Sequence, residues 1–246
     1  NCRRPRPTPS AMGSGPGDGR VHVYARIRPP SSKEGPVPPA VRVDDETAGV
    51  VVLEDKHARE PRRFRVDGAF GPASSQDEVY DAVGQPILDA AMEGYNGCVL
   101  AYGQTGSGKT HTLLNPGDTV ASSGLVPRLA AGLFFAIERD LRYTYAVRVS
   151  FLQIYNEQVD DLLKPSSTNL KLRPTAAGAE ADGASQQTVK SPHALMQLFN
   201  AGRKNLIYAE TKMNKSSSRS HAVFQLVIER RTRVLSEAEA AATAAA

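Results

Sequence analysis

Gly103-Gln104-Thr105-Gly106-Ser107-Gly108-Lys109-Thr110 is the stretch on which the reading of this chain turns. It satisfies G-x-x-x-x-G-K-S/T at every fixed position, the pattern of a phosphate-binding loop between a strand and a helix. The chemistry accounts for each requirement. Glycines let the backbone curl so that successive N–H groups face phosphate oxygens, and they remove Cβ atoms that would hold the phosphates away. Lys109 sets a point charge against the β- and γ-phosphates, and the Thr110 hydroxyl is placed to ligate Mg²⁺. A helix beginning near Lys109 adds its N-terminal dipole to the same place. The preceding Cys98-Val99-Leu100-Ala101-Tyr102 is apolar without alternation, as expected of a strand buried on both sides.

Working outward, Val21, Val23, Ala25 and Ile27 alternate with His22, Tyr24, Arg26 and Arg28, the period of a half-buried strand ended by Pro29-Pro30. Residues 41–67 hold three short β-like runs (41–43, 50–53 and 64–66), which predict a small hairpin lobe. Ser75-Gln76-Asp77-Glu78 reads as a capping box opening a helix that Pro86 should kink or divide and Gly94 should stop. Val126, Leu129, Ala130, Leu133, Phe134 and Ile137 form a helical stripe, and Tyr145, Val147, Val149 and Phe151 one face of a long strand. Residues 174–188, rich in Ala, Gly, Ser and Gln, read as a surface loop. Ser191-Pro192 then starts a helix with Leu195, Leu198, Phe199 and Leu206 on its buried face. Ala222, Phe224, Leu226 and Ile228 mark a last strand, and the interleaving gives an α/β class.

Composition narrows the field. The 246 residues are 40% apolar and 23% charged, enough for a sizeable core, and no run approaches the length of a membrane-spanning helix. Cys2 and Cys98 are too far apart for metal-site spacing, which argues against a disulfide framework or a zinc site and suits a reducing compartment. A formal charge of +4 draws on Arg3, Arg4 and Arg6 at one end and Arg230, Arg231 and Arg233 near the other. So small an excess reads as solvated basic tails and makes no case for nucleic acid. Residues 1–20 are Pro-, Gly- and Arg-rich and predict a disordered leader. It has a transit-peptide-like shortage of acids but no secretory apolar run, and Met12 is a candidate natural start.

Asn214-Lys215-Ser216-Ser217-Ser218-Arg219-Ser220-His221 is the other unusual segment, three consecutive hydroxyls and an arginine just before a strand. Alone it reads as a solvated turn. Beside a phosphate loop it holds the residue types phosphoryl transfer needs: a metal-completing hydroxyl, groups to orient water, and a cation. Its N-x-x-S-S-R-S-H pattern resembles the first switch of kinesin motor domains, and Gly103 to Thr110 matches the kinesin G-Q-T-G-S-G-K-T in full. Arg26-Ile27-Arg28-Pro29 is similar to the kinesin R-x-R-P. Gly94-Tyr95-Asn96-Gly97, Ile154-Tyr155-Asn156-Glu157 and Asp161-Leu162-Leu163 agree as well. The resemblance covers roughly residues 21–235, leaving an Ala-rich end at 236–246.

What the resemblance implies is a P-loop NTPase with a central, mixed, mostly buried sheet flanked by helices, and a microtubule-dependent, ATP-hydrolysing motor. Its cofactors would be ATP/ADP and Mg²⁺, its partner the microtubule (tubulin), its place the cytoplasm and cytoskeleton. Arg26, Arg28 and Pro29 would border the adenine, with His111 stacked on it. Gly103, Gln104, Thr105, Gly106, Ser107, Gly108, Lys109 and Thr110 would cradle the phosphates. Thr110 and Ser218 would complete the metal shell, Ser217 and Asn214 hold the γ-phosphate and attacking water, and Arg219 pair with a glutamate of the next switch.

That switch, D-x-x-G-x-E, does not occur in these 246 residues, so they are expected to form an incomplete motor domain that binds nucleotide weakly and does not walk alone. Leu206 stands where many kinesins carry arginine, Gln153 takes the usual glutamate position of the E-I-Y-N-E run, and Leu114-Asn115-Pro116 replaces the common M-x-G. Arg231 to Glu237, following Met213-Asn214-Lys215, is similar to the ciliary and flagellar subgroup, where a homodimer or axonemal complex would form through other regions. A static microtubule-associated or axonemal component with a structural nucleotide site is the alternative. An unrelated P-loop kinase or GTPase is disfavoured because it leaves the N-x-x-S-S-R-S-H loop to accident, and the N-K-x-D run usual in GTP enzymes is not found.

Overall fold

The computed structural model describes residues 20–30, 40–54, 60–115, 122–175, 178–212 and 220–233. The leader and the Ala-rich end lie outside them, apart from Arg20. The chain divides into two units, Asn1–Val99 and Leu100–Ala246.

In the first unit the strand expected from Val21 shortens to β1 (Tyr24–Arg26), because its parallel partner β5 (Gly68–Phe70) offers only three residues. Val21 is left 81% exposed. Gly68 is required by the pairing, since a Cβ there would stand 2.8 Å from the Tyr24 ring. The hairpin lobe forms as β2 (Val41–Val43), β3 (Val50–Leu53) and β4 (Arg62–Arg65), antiparallel throughout, with Val50 and Val52 turned inward. Ser75 caps α1 (Gln76–Val79) and both bonds of the capping box are made. The chain then widens into a π turn at Tyr80–Gly84 before α2 (Gln85–Glu93). Pro86 supplies the reason: it has no N–H to offer and its ring crowds the carbonyl four residues back, so the ladder shifts register and the helix is divided there. Gly94 ends α2 in the left-handed region, φ 104°.

One expectation fails at the junction. Residues 98–102 form no strand; Leu100 is 83% and Tyr102 95% exposed. A strand buried on both faces needs ladder neighbours, and none of the described strands pairs with this stretch. An apolar run alone does not supply them.

In the second unit α3 (Lys109–Leu114) leads to α4 (Leu125–Arg139), whose buried residues include Leu125, Ala130, Leu133 and Phe134. The long strand β6 (Tyr143–Tyr155) follows, with Val147, Val149, Phe151 and Gln153 buried in alternation. A two-residue turn at Asn156 and Glu157, both with positive φ, folds β6 onto β7 (Gln158–Asp161), as a type I′ hairpin requires. The expected surface loop is in fact a hairpin, β8 (Leu172–Thr175) with β9 (Gly178–Ala181), followed by β10 (Gln187–Val189) on the edge of β6. An exposed hairpin is held by its backbone ladder, so it leaves little apolar alternation in the sequence. α5 (Pro192–Lys212) starts where Ser191 accepts the Ala194 N–H at 3.1 Å. β11 (Ser220–Thr232) pairs with all thirteen residues of β6. The strands are thus mixed in direction, parallel at β1–β5 and antiparallel elsewhere. Phe151, Phe199 and Leu162 make the core of this unit, with Leu114, Val126, Leu206 and Phe224 packed round them.

Phe199 is 4% exposed; Phe199→Ala should cost about 3–5 kcal/mol of unfolding free energy, read by chemical denaturation. At the turn from α4 to β6, hydrogen bonds from Arg142 and Tyr145 hold the Asp140 carboxyl at about 2. A carboxyl lowered in the folded state stabilises at pH above the unfolded value of about 3.9, and that contribution fades as pH falls towards the folded one. Asp140→Asn should therefore flatten the loss of melting temperature across that acid window.

Candidate functional site

Phosphate-loop geometry is present in the backbone itself. Gly103, Gly106 and Gly108 take φ of 153°, 81° and 101°, a region side chains rarely enter. At Gly103 there is a second reason, because a Cβ would lie 2.5 Å from Ser107 Oγ. Around Gly106 nothing lies within 4 Å, so conformation alone demands glycine there. The Ser107 N–H donates to Gln104 O at 3.1 Å and closes the tip. Gly108 is the N-cap of α3, which puts Lys109 and Thr110 on its first turn.

Lys109 Nζ donates to Gly103 O at 2.6 Å and Gln104 O at 2.9 Å. An ammonium has three donors, and these two bonds hold it across the mouth of its own loop. The acceptors are neutral carbonyls, which orient the charge without cancelling it. Thr110 and His111 are exposed residues beside the loop. Gly103 to His111 therefore form one continuous constellation. The glycine backbone that side chains would obstruct, the oriented ammonium and the hydroxyl of exposed Thr110 suit a polyphosphate carrying a hard divalent ion. Among the described residues no cluster of three His, Cys, Asp or Glu is found that would hold a metal ion independently.

Arg26, Arg28 and Pro29 belong to the first unit. Arg26 is half-buried; its Nη1 donates to Gln76 Oε1 at 2.7 Å, its Nη2 reaches Ser74 O at 3.4 Å, and burial lowers its pKa. It steadies the turn into α1. Arg28 Nη1 donates to the neighbouring Pro29 O at 3.1 Å. Sequence reasoning misses Gln76 as the partner of Arg26, although its place at the start of the capped helix is an available signal. Asn214, Ser217, Ser218 and Arg219 lie outside the described residues. Their flanks are described: α5 on one side, and on the other Ser220 and His221, which open β11 opposite Tyr155 and Ile154.

The family model for the kinesin motor domain matches residues 26–245. The chain belongs to the kinesin family. Kinesin-like protein KIF15 of Strongylocentrotus purpuratus is 37% identical over 220 residues, 85% of this chain and 15% of that protein. KIF13B of Homo sapiens is 37% identical over 232 residues, 86% of this chain and 12% of that protein. Among solved structures, one described as a fast kinesin superposes with a TM-score of 0.77 at 30% identity, covering 86% of this chain and 60% of its own. The kinesin chain thus has the P-loop NTPase fold and spans only part of the relatives it matches. Among the described residues no helix is long and apolar enough to cross a membrane.

The loop glycines separate two costs. Gly106→Ala should destabilise by about 1–2 kcal/mol, the left-handed penalty alone. Gly103→Ala should cost more, since Ser107 must also move; paired denaturation curves check the order.

Proposed function

We propose that the protein is an ATP-hydrolysing motor driven along microtubules, and that Gly103 to Thr110 hold its nucleotide. The observation that carries this reading is the Lys109 ammonium held across a glycine loop in a kinesin-family chain. Loop N–H groups and Lys109 bind the triphosphate and stabilise the charge that grows on it during transfer. Thr110, joined by Ser218, holds the Mg²⁺, which when bound neutralises phosphate charge. Asn214 and Ser217 orient the attacking water at the γ-phosphate, Arg219 tethers the switch to a glutamate beyond these residues, and Arg26, Arg28, Pro29 and His111 border the base. The solved fast kinesin is described in terms of its ATPase mechanism and interactions with microtubules, which supports the same pairing for this chain.

As a finer reading, Arg231 to Glu237 support a ciliary or flagellar setting, with a homodimer or axonemal complex formed through other parts of the protein. Tagged full-length protein absent from axonemes in ciliated cells would remove it.

Full-length protein should hydrolyse ATP faster when microtubules are added, and Lys109→Ala should lower that stimulated rate about 100-fold or more. Turnover indifferent to microtubules in the parent protein defeats the proposal.

A further inference from the structure

Beyond the loop, the far end of its helix is held by a clasp. Asn115 caps α3, and its Nδ2 donates to Ser122 O at 2.7 Å. The Gly124 N–H returns a bond to Asn115 O at 3.0 Å. Residues 115 and 122–124 are thereby joined. Gly124 is also the N-cap of α4, and it lies so close to α3 that a Cβ would stand 2.5 Å from both Leu113 C and Leu114 N. Arg128, 7% exposed on α4, donates from Nε to Ser123 O at 2.9 Å and so holds the same segment.

The length of α3 gives this clasp its consequence. Six residues make a helix about 9 Å long. So short a rod cannot bend to absorb a shift at one end. Displacing Leu113 and Leu114 must therefore displace Lys109 and Thr110 at the other end. We propose that Asn115 and Gly124 are positioning residues for nucleotide binding, fixing Lys109 and Thr110 through the C-terminal end of α3. This rests on the nucleotide reading above.

Magnesium-ADP titrated calorimetrically into the full-length protein tests it, at a temperature where every variant is fully folded. Asn115→Ala removes one net hydrogen bond and should raise the dissociation constant about fivefold. Asn115→Asp is nearly isosteric but sets a carboxylate against the Ser122 carbonyl, so it should weaken binding more, about tenfold. Gly124→Ala should act in the same direction by pushing on the α3 backbone. A bond that serves stability alone lowers the melting temperature and leaves the dissociation constant where it was. That result, with the parent binding normally, overturns the positioning role alone. A parent that binds no ADP overturns the nucleotide reading and the positioning role with it.

Discussion

Three phenylalanine rings meeting beside β6 are what the second unit is built on. Phe151 and Phe199 stack with centroids 5.4 Å apart and planes 11° apart, while Phe224 stands edge-on to both at 5.2 and 4.9 Å. These are the offset and T-shaped arrangements that the ring quadrupole favours. Each ring comes from a different element, so the cluster fixes α5 and β11 against β6 at once. Gly202 shows how close the fit is: a Cβ there would lie 2.4 Å from the Phe151 ring. Leu114, at the end of the phosphate-loop helix, packs on the same cluster. One apolar core therefore carries the phosphate loop and both flanks of residues 213–219.

Charge is handled differently at the loop and at the rim. Arg148 pairs with Glu229 between β6 and β11, full charges cancelling at a part-exposed place where the pair adds little. The hydrogen bonds of Lys109 go instead to two backbone carbonyls of its own loop. A carboxylate there would fix the ammonium more firmly and would also consume the field that an anionic ligand needs. Neutral acceptors fix its direction and leave the net charge in place. The same logic governs the glycines, which give up conformational stability to bring N–H groups inward.

Features set by local chemistry are legible in the sequence alone. Ser75 and Glu78 announce their capping box, Gly94 its left-handed stop, Ser191-Pro192 the start of α5, and the glycines and lysine the phosphate loop. What fails depends on neighbours. Cys98 to Tyr102 have a buried strand's composition, but burial takes ladder partners that no local pattern displays. The β8–β9 hairpin has a loop's composition because its exposed ladder asks little of its side chains. Pro86 signals a disruption whose form is settled by the backbone: a π turn that divides the helix. Arg128 would be assigned to solvent by type, and the Ser123 carbonyl beside it gives the buried guanidinium a partner that no local pattern displays.

The structure also sorts the kinesin-like motifs by what they do. Asn156 and Glu157 of the I-Y-N-E run occupy the two positive-φ positions of the β6–β7 turn, and asparagine accepts that region more readily than most residues. Asp161 of D-L-L is 2% exposed, and it accepts backbone N–H groups from Leu163 at 2.8 Å, Lys164 at 3.1 Å and Ser185 at 2.6 Å. A buried carboxylate with three such donors is a structural cap, because each bond satisfies a backbone group the sheet leaves unpaired. Matches in these runs therefore testify to the fold of β6 and its neighbours. The case for phosphate chemistry has to stand on the glycine loop, whose conformation makes sense for an anionic ligand and costs stability otherwise.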